Sequence, residues 1–328
     1  GRPPMLIRSH IRALGLAGAL GAAGLTPAAA HDHLKVVASF SILGDMVREV
    51  GGDAVDLTVL VGPDGDAHVY EPTPADAKAV GEADVVIVNG LDFEGWMPRL
   101  LDASGFKGKM IVASDGITPR EWQGEEEEGH DHAAEEAAGH KHEGEEHAHE
   151  HGAFDPHAWQ NLANGVVYVN NITAALAAAD PDHADAFKTA GAAYAAELTA
   201  LDGKVKADFA AIPQASRKVV TSHDAFGYFG AAYGVEFIAP QGVSTEAEAS
   251  AGEVATIIEQ IRAEHIRAVF VENITDPRLV DQIARETGAK VGGELYSDAL
   301  SKADGPAPTY VKMFEWNAAA LTAAMSGS

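Results

Sequence analysis

Three histidines stand apart from the other histidines of this chain, because each lies where a predicted strand ends or regular structure resumes. His68 follows the second predicted strand, His157 follows a compositionally biased segment, and His223 follows the first strand of the second half. Asp298 follows the last predicted strand. Three neutral imidazoles and one carboxylate give the nitrogen and oxygen ligands of a tetrahedral Zn2+ site. Each residue alone also fits an ordinary loop or capping position, but their joint placement favours a metal site.

The composition of the chain excludes several kinds of site and argues against several kinds of partner. The 328 residues contain no cysteine, which excludes disulfides, thiolate metal sites and cysteine nucleophiles. The formal net charge of −26 argues against binding to nucleic acid or to an anionic lipid surface. It is compatible with attraction of cations.

The N-terminus has the pattern of an export signal. Arg8 and Arg12 form a basic region, residues 14–25 an apolar core, and residues 28–30 a run of alanines suited to signal peptidase. The apolar core is shorter than the roughly 20 residues of a membrane span. We therefore expect residues 1–30 to be a cleaved signal peptide and the mature protein to be periplasmic. No cysteine stands at this junction, which excludes a lipoprotein anchor there.

Strand and helix patterns alternate through the rest of the chain. The predicted strands are residues 36–40, 57–61, 84–89, 110–113, 218–221, 235–238, 268–271 and 290–295. The predicted helices are residues 42–50, 74–81, 94–103, 161–179, 181–211, 225–233, 252–264, 277–287 and 310–324. This alternation is typical of parallel βαβ units with helices covering the sheet.

The predicted fold is therefore α/β, with two four-stranded parallel lobes joined by a long spine helix. We expect an N-terminal lobe at residues 31–180, a linking helix at 181–211 and a C-terminal lobe at 212–328. In open parallel sheets, ligands bind beyond the carboxyl ends of the strands. The metal site should accordingly lie in the cleft between the lobes.

Residues 123–152 form a segment rich in histidine and glutamate, with almost no apolar residues. Such a segment cannot bury a core, so we expect a mobile loop. Its histidines are predicted accessory, low-affinity metal ligands: His130, His132, His140, His142, His147, His149 and His151. The loop could collect metal for the cleft, or it could be a solvated spacer with incidental metal affinity.

Several motifs occur together in one order along the chain. They are residues 37–41, the His-x-Tyr-Glu-Pro-Thr stretch at 68–73, Asp-Pro-His-Ala-Trp at 155–159, Ser-His-Asp-Ala-Phe-Gly-Tyr at 222–228, Val-Glu-Asn at 271–273, and the loop of Asp298. Over essentially the whole mature chain, this pattern resembles the cluster A-I metal-binding proteins of bacterial ABC importers. Within that family it resembles the zinc-binding ZnuA/AztC type and their manganese relatives.

The resemblance implies a function and a set of partners. The implied metal ligands are His68, His157, His223 and Asp298, and the implied fold has a spine helix that limits lobe movement. The protein is expected to capture Zn2+ as a monomer in the periplasm and to deliver it to an ABC-type permease at the inner membrane. A periplasmic zinc chaperone is a further partner that could load it.

Three alternatives remain. A manganese- or iron-binding importer component is one, although manganese relatives commonly place a glutamate where this chain has His223. A zinc hydrolase would keep an open water position at the metal, and the chain has neither a His-Glu-x-x-His nor a Gly-x-Ser-x-Gly motif. A metal-dependent adhesin is the third. We therefore expect a binding protein and not an enzyme.

Carboxylates near the ligands are expected to orient the imidazoles, as outer partners do in metal sites generally. On position alone, the candidates are Glu71, Asp224 and Glu272. Each also fits an ordinary surface or capping carboxylate.

Deletion of residues 125–151 tests the role of the histidine-rich loop. The deletion should lower the total number of bound zinc ions, because it removes the accessory imidazoles, and should leave the tight site intact. Equilibrium dialysis against Zn2+ measures both quantities. If the tight site disappears together with the loop, the collector hypothesis is wrong.

Overall fold

The computed structural model describes residues 33–122 and 154–326, together with residue 1. The predicted signal peptide and the histidine-rich segment, with its seven accessory histidines, lie outside the described residues.

Two parallel four-stranded sheets form the framework. The first contains β1 (Leu34–Phe40), β2 (Val55–Val61), β3 (Val85–Val88) and β4 (Lys109–Val112), in the order β2-β1-β3-β4. The second contains β5 (Lys218–Val220), β6 (Glu236–Ile238), β7 (Ala268–Glu272) and β8 (Lys290–Leu295), in the order β6-β5-β7-β8. The two orders are equivalent, and they confirm the predicted α/β architecture of two four-stranded parallel sheets.

Helices cover both sheets. They are α1 (Ser41–Gly51), α2 (Pro74–Gly81), α3 (Met97–Ser104), α4 (Leu162–Ala179), α5 (Ala184–Ala210), α6 (Gly227–Tyr233), α7 (Ala251–Glu264), α8 (Arg278–Thr287) and α9 (Tyr310–Ser326). Short 3-10 turns lie at Gly52–Ala54, Ala158–Gln160 and Gln214–Ser216. The 27 residues of α5 extend over roughly 40 Å.

Local sequence explains several of these elements. β3 reads Val-Val-Ile-Val and is buried throughout, as expected for a central parallel strand covered on both faces. α2 begins with a capping box in which the Thr73 hydroxyl accepts the Asp76 N–H and the Asp76 carboxylate accepts the Thr73 N–H. Ser250 and Glu253 begin α7 in the same way.

Two helices begin three residues later than the sequence predicted. The helix predicted from residue 94 begins at Met97, because the buried Glu94 carboxylate accepts the N–H groups of Asn89 and Gly90 in the preceding turn. The helix predicted from residue 181 begins at Ala184. There the Asp180 carboxylate accepts the N–H groups of the next turn and so holds a non-helical conformation.

A continuous hydrophobic core includes side chains of both sheets and of α4, α5 and α9. Val219 and Phe270 of the second sheet belong to this core, whereas Val220 and Val269 face a second core formed with α7 and α8. The alternation follows the two-residue period of a strand. By length and composition alone, α4 could cross a membrane, but its side chains Tyr168 and Ile172 are fully buried and it packs along α5.

A buried carboxylate joins three of these helices. Asp45 of α1 is 1% exposed and accepts the N–H of Tyr310, at the start of α9, over 2.8 Å. The Tyr194 hydroxyl of α5 lies 3.5 Å from the same carboxylate oxygen. Burial raises the pKa of Asp45 from 3.8 to about 6, against the opposing effect of the Tyr310 N–H.

The Asp45→Asn substitution should raise the free energy of unfolding near pH 7. The folded protein binds the Asp45 proton more tightly than the unfolded chain does, so its stabilising contribution is complete below about pH 4 and is lost as the pH rises through about 6. A shift of about two pH units corresponds to about 3 kcal/mol. Asparagine keeps an oxygen for the Tyr310 N–H without the charge.

Urea denaturation from about pH 4 to about pH 7 measures the effect. The variant's advantage should be small at the acidic end and grow toward neutrality. Asp102→Asn is the control, because Asp102 is an exposed aspartate on α3. An equal gain from both variants would contradict the role assigned to Asp45.

Candidate metal centre

The structure brings together His68, His157, His223 and Asp298, the four residues singled out by their positions in the sequence. One nitrogen or oxygen atom from each lies within 4.8 Å of the others. His68 lies in the loop between β2 and α2, and His157 directly precedes the turn Ala158–Gln160. His223 follows β5, and Asp298 follows β8. The group thus combines loops that belong to both sheets.

The four side chains face one another. Asp298 Oδ2 lies 3.1 Å from His68 Nε2 and 3.1 Å from His223 Nε2. Asp298 Oδ1 lies 3.5 Å from His157 Nε2, and His157 Nε2 lies 3.4 Å from His68 Nε2. His157, His223 and Asp298 are fully buried, and His68 is 8% exposed. These atoms could surround one metal ion.

The outward-facing nitrogens of two imidazoles contact carboxylates. Asp155 Oδ1 lies 2.8 Å from His157 Nδ1 and also accepts the backbone N–H of His157 over 2.9 Å. Glu272 Oε2 contacts His223 Nδ1 at 2.6 Å, as an ion pair rather than an aligned hydrogen bond. Its other oxygen accepts the His223 N–H over 2.9 Å. Both contacts turn the Nε2 atoms toward the centre of the group and fix the rings.

The sequence prediction for supporting carboxylates was correct for Glu272. Glu71 is exposed, and neither its carboxylate nor that of Asp224 makes a hydrogen bond or ion pair with an imidazole in the described part of the chain. Asp155, which fills this role for His157, was missed. The sequence signal for Asp155 was its position two residues before His157, with a proline between them. A short aspartate side chain readily accepts the backbone N–H of the residue two positions later.

Aromatic rings enclose the group on the side of the first sheet. Phe93 packs edge-on against His68 at a centroid distance of 4.8 Å, and Trp159 packs against His157 at 5.3 Å. Phe40 in turn packs against both of these aromatic rings. The surroundings therefore exclude bulk water from most of the group.

The charges of the group determine where its protons reside. Burial alone lowers the pKa of His157, but the charges of Asp298 and Asp155 outweigh it and raise the pKa to about 9. For His223, burial is outweighed by Glu272 and Asp298, and the pKa lies well above its usual value. Burial dominates at His68 and lowers its pKa. At Asp298, burial alone would raise the pKa of the carboxyl group, but the charges of His157 and His223 outweigh burial and hold this pKa well below its usual range.

A comparison with protein families found a family model that matches nearly all of the described residues. The family model described as "Zinc-uptake complex component A periplasmic" matches residues 36–324.

Individual relatives are similar over nearly their full length. The iron ABC transporter substrate-binding lipoprotein MtsA of Streptococcus pyogenes is 33% identical over 298 residues, 89% of each protein. The manganese ABC transporter substrate-binding lipoprotein PsaA of Streptococcus pneumoniae is 30% identical and covers 90% of this chain and 89% of its own. Among solved structures, the periplasmic zinc binding protein TroA from Treponema pallidum superposes with a TM-score of 0.78. It is 28% identical and covers 90% of this chain and 99% of its own.

Metal affinity should rise with pH between about pH 6 and about pH 8. Because the pKa values of His157 and His223 are raised, these imidazoles carry protons in that range that an incoming ion must displace. Each displaced proton contributes up to about tenfold in affinity per pH unit. Calorimetric titration in two buffers of different ionisation enthalpy measures the number of protons released. Binding without proton release, with the same affinity at both pH values, would contradict the assigned protonation states.

Proposed function

This chain belongs to the ZnuA family of metal-binding, substrate-binding proteins of ABC transporters, and on that premise we propose that it captures Zn2+ and delivers it to a membrane permease. Members of the family are transport components and not enzymes. The observation that carries the choice of zinc is the set of atoms at the centre: three imidazole nitrogens and one carboxylate.

The spacing of these atoms supports a tetrahedral ion. Bonds of about 2.0–2.1 Å to Zn2+ in a tetrahedron place neighbouring ligand atoms roughly 3.3 Å apart. The contacts of the three Nε2 atoms with the two Asp298 oxygens, and of His157 Nε2 with His68 Nε2, lie between 3.1 and 3.5 Å. One ligand atom from each of the four residues lies within 4.8 Å of the others, so the widest pairs must approach one another when an ion of this size binds.

A closed shell of four protein ligands is suited to holding an ion and not to activating water, because a catalytic zinc keeps an open position. The least buried ligand is His68, at 8% exposed, whereas the other three have no exposed surface. We propose that the ion enters and leaves past His68. A permease that displaces the loop between β2 and α2 would open this path.

Manganese or iron is the second candidate, because relatives that cover most of the chain are named for these metals. Mn2+ prefers oxygen ligands and more than four of them, whereas imidazole suits Zn2+. With Asp298 as the single carboxylate among the four side chains, the group favours zinc.

The site of action follows from the same family. Substrate-binding components of ABC transporters act outside the cytoplasm and meet a membrane permease. The relatives MtsA and PsaA are named lipoproteins, whereas the present sequence contains no cysteine to carry a lipid. We propose a monomer in the periplasm, released by cleavage after residue 30. We also propose that a periplasmic zinc chaperone can load the protein with Zn2+.

The His157→Ala substitution tests the ligand assignment. Zn2+ affinity should fall by more than about 100-fold, the upper range of what is lost when only a group supporting a ligand is removed. His183→Ala is the matched control, because His183 pairs with Asp180 at the start of α5, outside the four-residue group. Competition between Zn2+ and a chromophoric chelator gives the affinities.

Metal analysis of untagged, unsubstituted protein isolated from cells then tests the metal, because Zn2+ out-competes Mn2+ in vitro at most nitrogen and oxygen sites. We expect the bound metal to be zinc. Unchanged tight binding by the His157→Ala protein would disprove the ligand assignment, and manganese or iron in the isolated protein would replace zinc by the second candidate.

A further inference from the structure

The segment that carries Asp298, between β8 and α9, has no regular secondary structure, yet side chains hold its backbone on both sides. Asn317 of α9 accepts the Tyr296 N–H over 2.9 Å and donates to the Tyr296 carbonyl over 2.8 Å. The Ser41 hydroxyl at the start of α1 accepts the Leu300 N–H over 3.0 Å. The position of the Asp298 carboxylate therefore depends on partners distant in sequence.

The residue next to Asp298 is held most firmly. The Ser297 carbonyl accepts two hydrogen bonds, from Trp159 Nε1 over 2.9 Å and from Gln160 Nε2 over 2.7 Å. Both donors lie in the turn that directly follows His157. All three of these partners are fully buried, so water does not compete for the bonds.

Gln160 is an unusual residue for such a position. A buried amide is costly unless its hydrogen bonds are made. The Gln160 Oε1 atom is buried without a hydrogen-bond partner, so the bond of its Nε2 atom to Ser297 is the compensating interaction. An apolar side chain of the same length would avoid the cost of the unpaired oxygen. Core packing alone therefore does not account for an amide here.

We propose that Gln160 is a positioning residue that fixes the Asp298 carboxylate relative to His157 and thereby sets the geometry of the metal shell. The proposal rests on the proposed function, because it takes the four-residue group as the metal site. The side-chain amide of Gln160 makes no hydrogen bond to either His157 or Asp298. It acts through the Ser297 carbonyl, one residue before Asp298, from a position three residues after His157.

The consequence for the metal follows from the carboxylate. Both Asp298 oxygens face the imidazoles, and Oδ1 has no hydrogen-bond partner. If its backbone were free to shift, the distances from the two oxygens to the imidazoles would change, and with them the geometry of the bound ion. Holding the Ser297 carbonyl fixes the position of the carboxylate relative to the three imidazoles.

The Gln160→Met substitution in the full-length protein tests the proposal. Methionine keeps the length of the side chain and removes the amide. Zn2+ affinity should fall about tenfold, within the range seen when a group that orients a ligand is removed. The visible spectrum of the Co2+-loaded protein should also lose intensity, because tetrahedral Co2+ absorbs more strongly than ions of higher coordination number.

Asn164→Leu is the matched control. Asn164 Nδ2 donates to the Ala158 carbonyl of the same turn over 3.0 Å, but it does not reach the segment of Asp298. Both substitutions remove an amide hydrogen bond made from this turn or to it, and the melting temperature of each variant measures what that loss does to the fold. Only Gln160→Met should change the affinity and the Co2+ spectrum.

A second variant guards against misfolding. Trp159→Phe removes one donor to the Ser297 carbonyl and keeps most of the ring, and should lower Zn2+ affinity about threefold, the value of one ordinary hydrogen bond. If the Gln160→Met protein does not fold, Gln160→Leu, which also removes the amide, decides the question, because Trp159 itself packs against His157. Unsubstituted protein that binds Co2+ without a tetrahedral spectrum would disprove the proposed four-coordinate site. Unsubstituted protein with that spectrum, and variants indistinguishable from the control, would overturn only the positioning role.

Discussion

The site depends on the contacts between the buried Asp298 carboxylate and three imidazoles. A carboxylate without exposed surface is strongly destabilising unless charges and hydrogen bonds compensate it. Here the compensation comes from His157 and His223, which in turn are paired with Asp155 and Glu272. Each group therefore requires its neighbour to be in place, and the loops of both sheets are held together by this requirement.

Parallel topology explains why such residues can meet. In both sheets the strands end on one edge, so loops that follow different strands converge there. This is why the meeting of His68, His223 and Asp298 could be predicted from the sequence: each lies in the loop that follows an apolar run that reads as a strand. His157 was predicted from its motif and from its position after the biased segment. Strand β3 of the first sheet could also be predicted, because its apolar run is uninterrupted.

Other features depend on contacts between residues far apart in sequence, and these could not be predicted. The start of α3 is set by where the Glu94 carboxylate finds its partners, which no helix signal in the sequence records. Glu71 and Asp224 were as well placed along the chain as Glu272, and only the folded geometry separates them. The role of Gln160 could not be predicted, because its partner is the backbone carbonyl of Ser297, which lies 137 residues away in the sequence.

The protonation of the buried imidazoles has a consequence for how cargo can leave. Two of the histidines retain protons when no ion is bound, since carboxylates raise their pKa values. A divalent cation that departs can thus be replaced by two protons, and the interior carries the same total charge before and after. Loading and unloading become a charge-for-charge exchange with the surroundings.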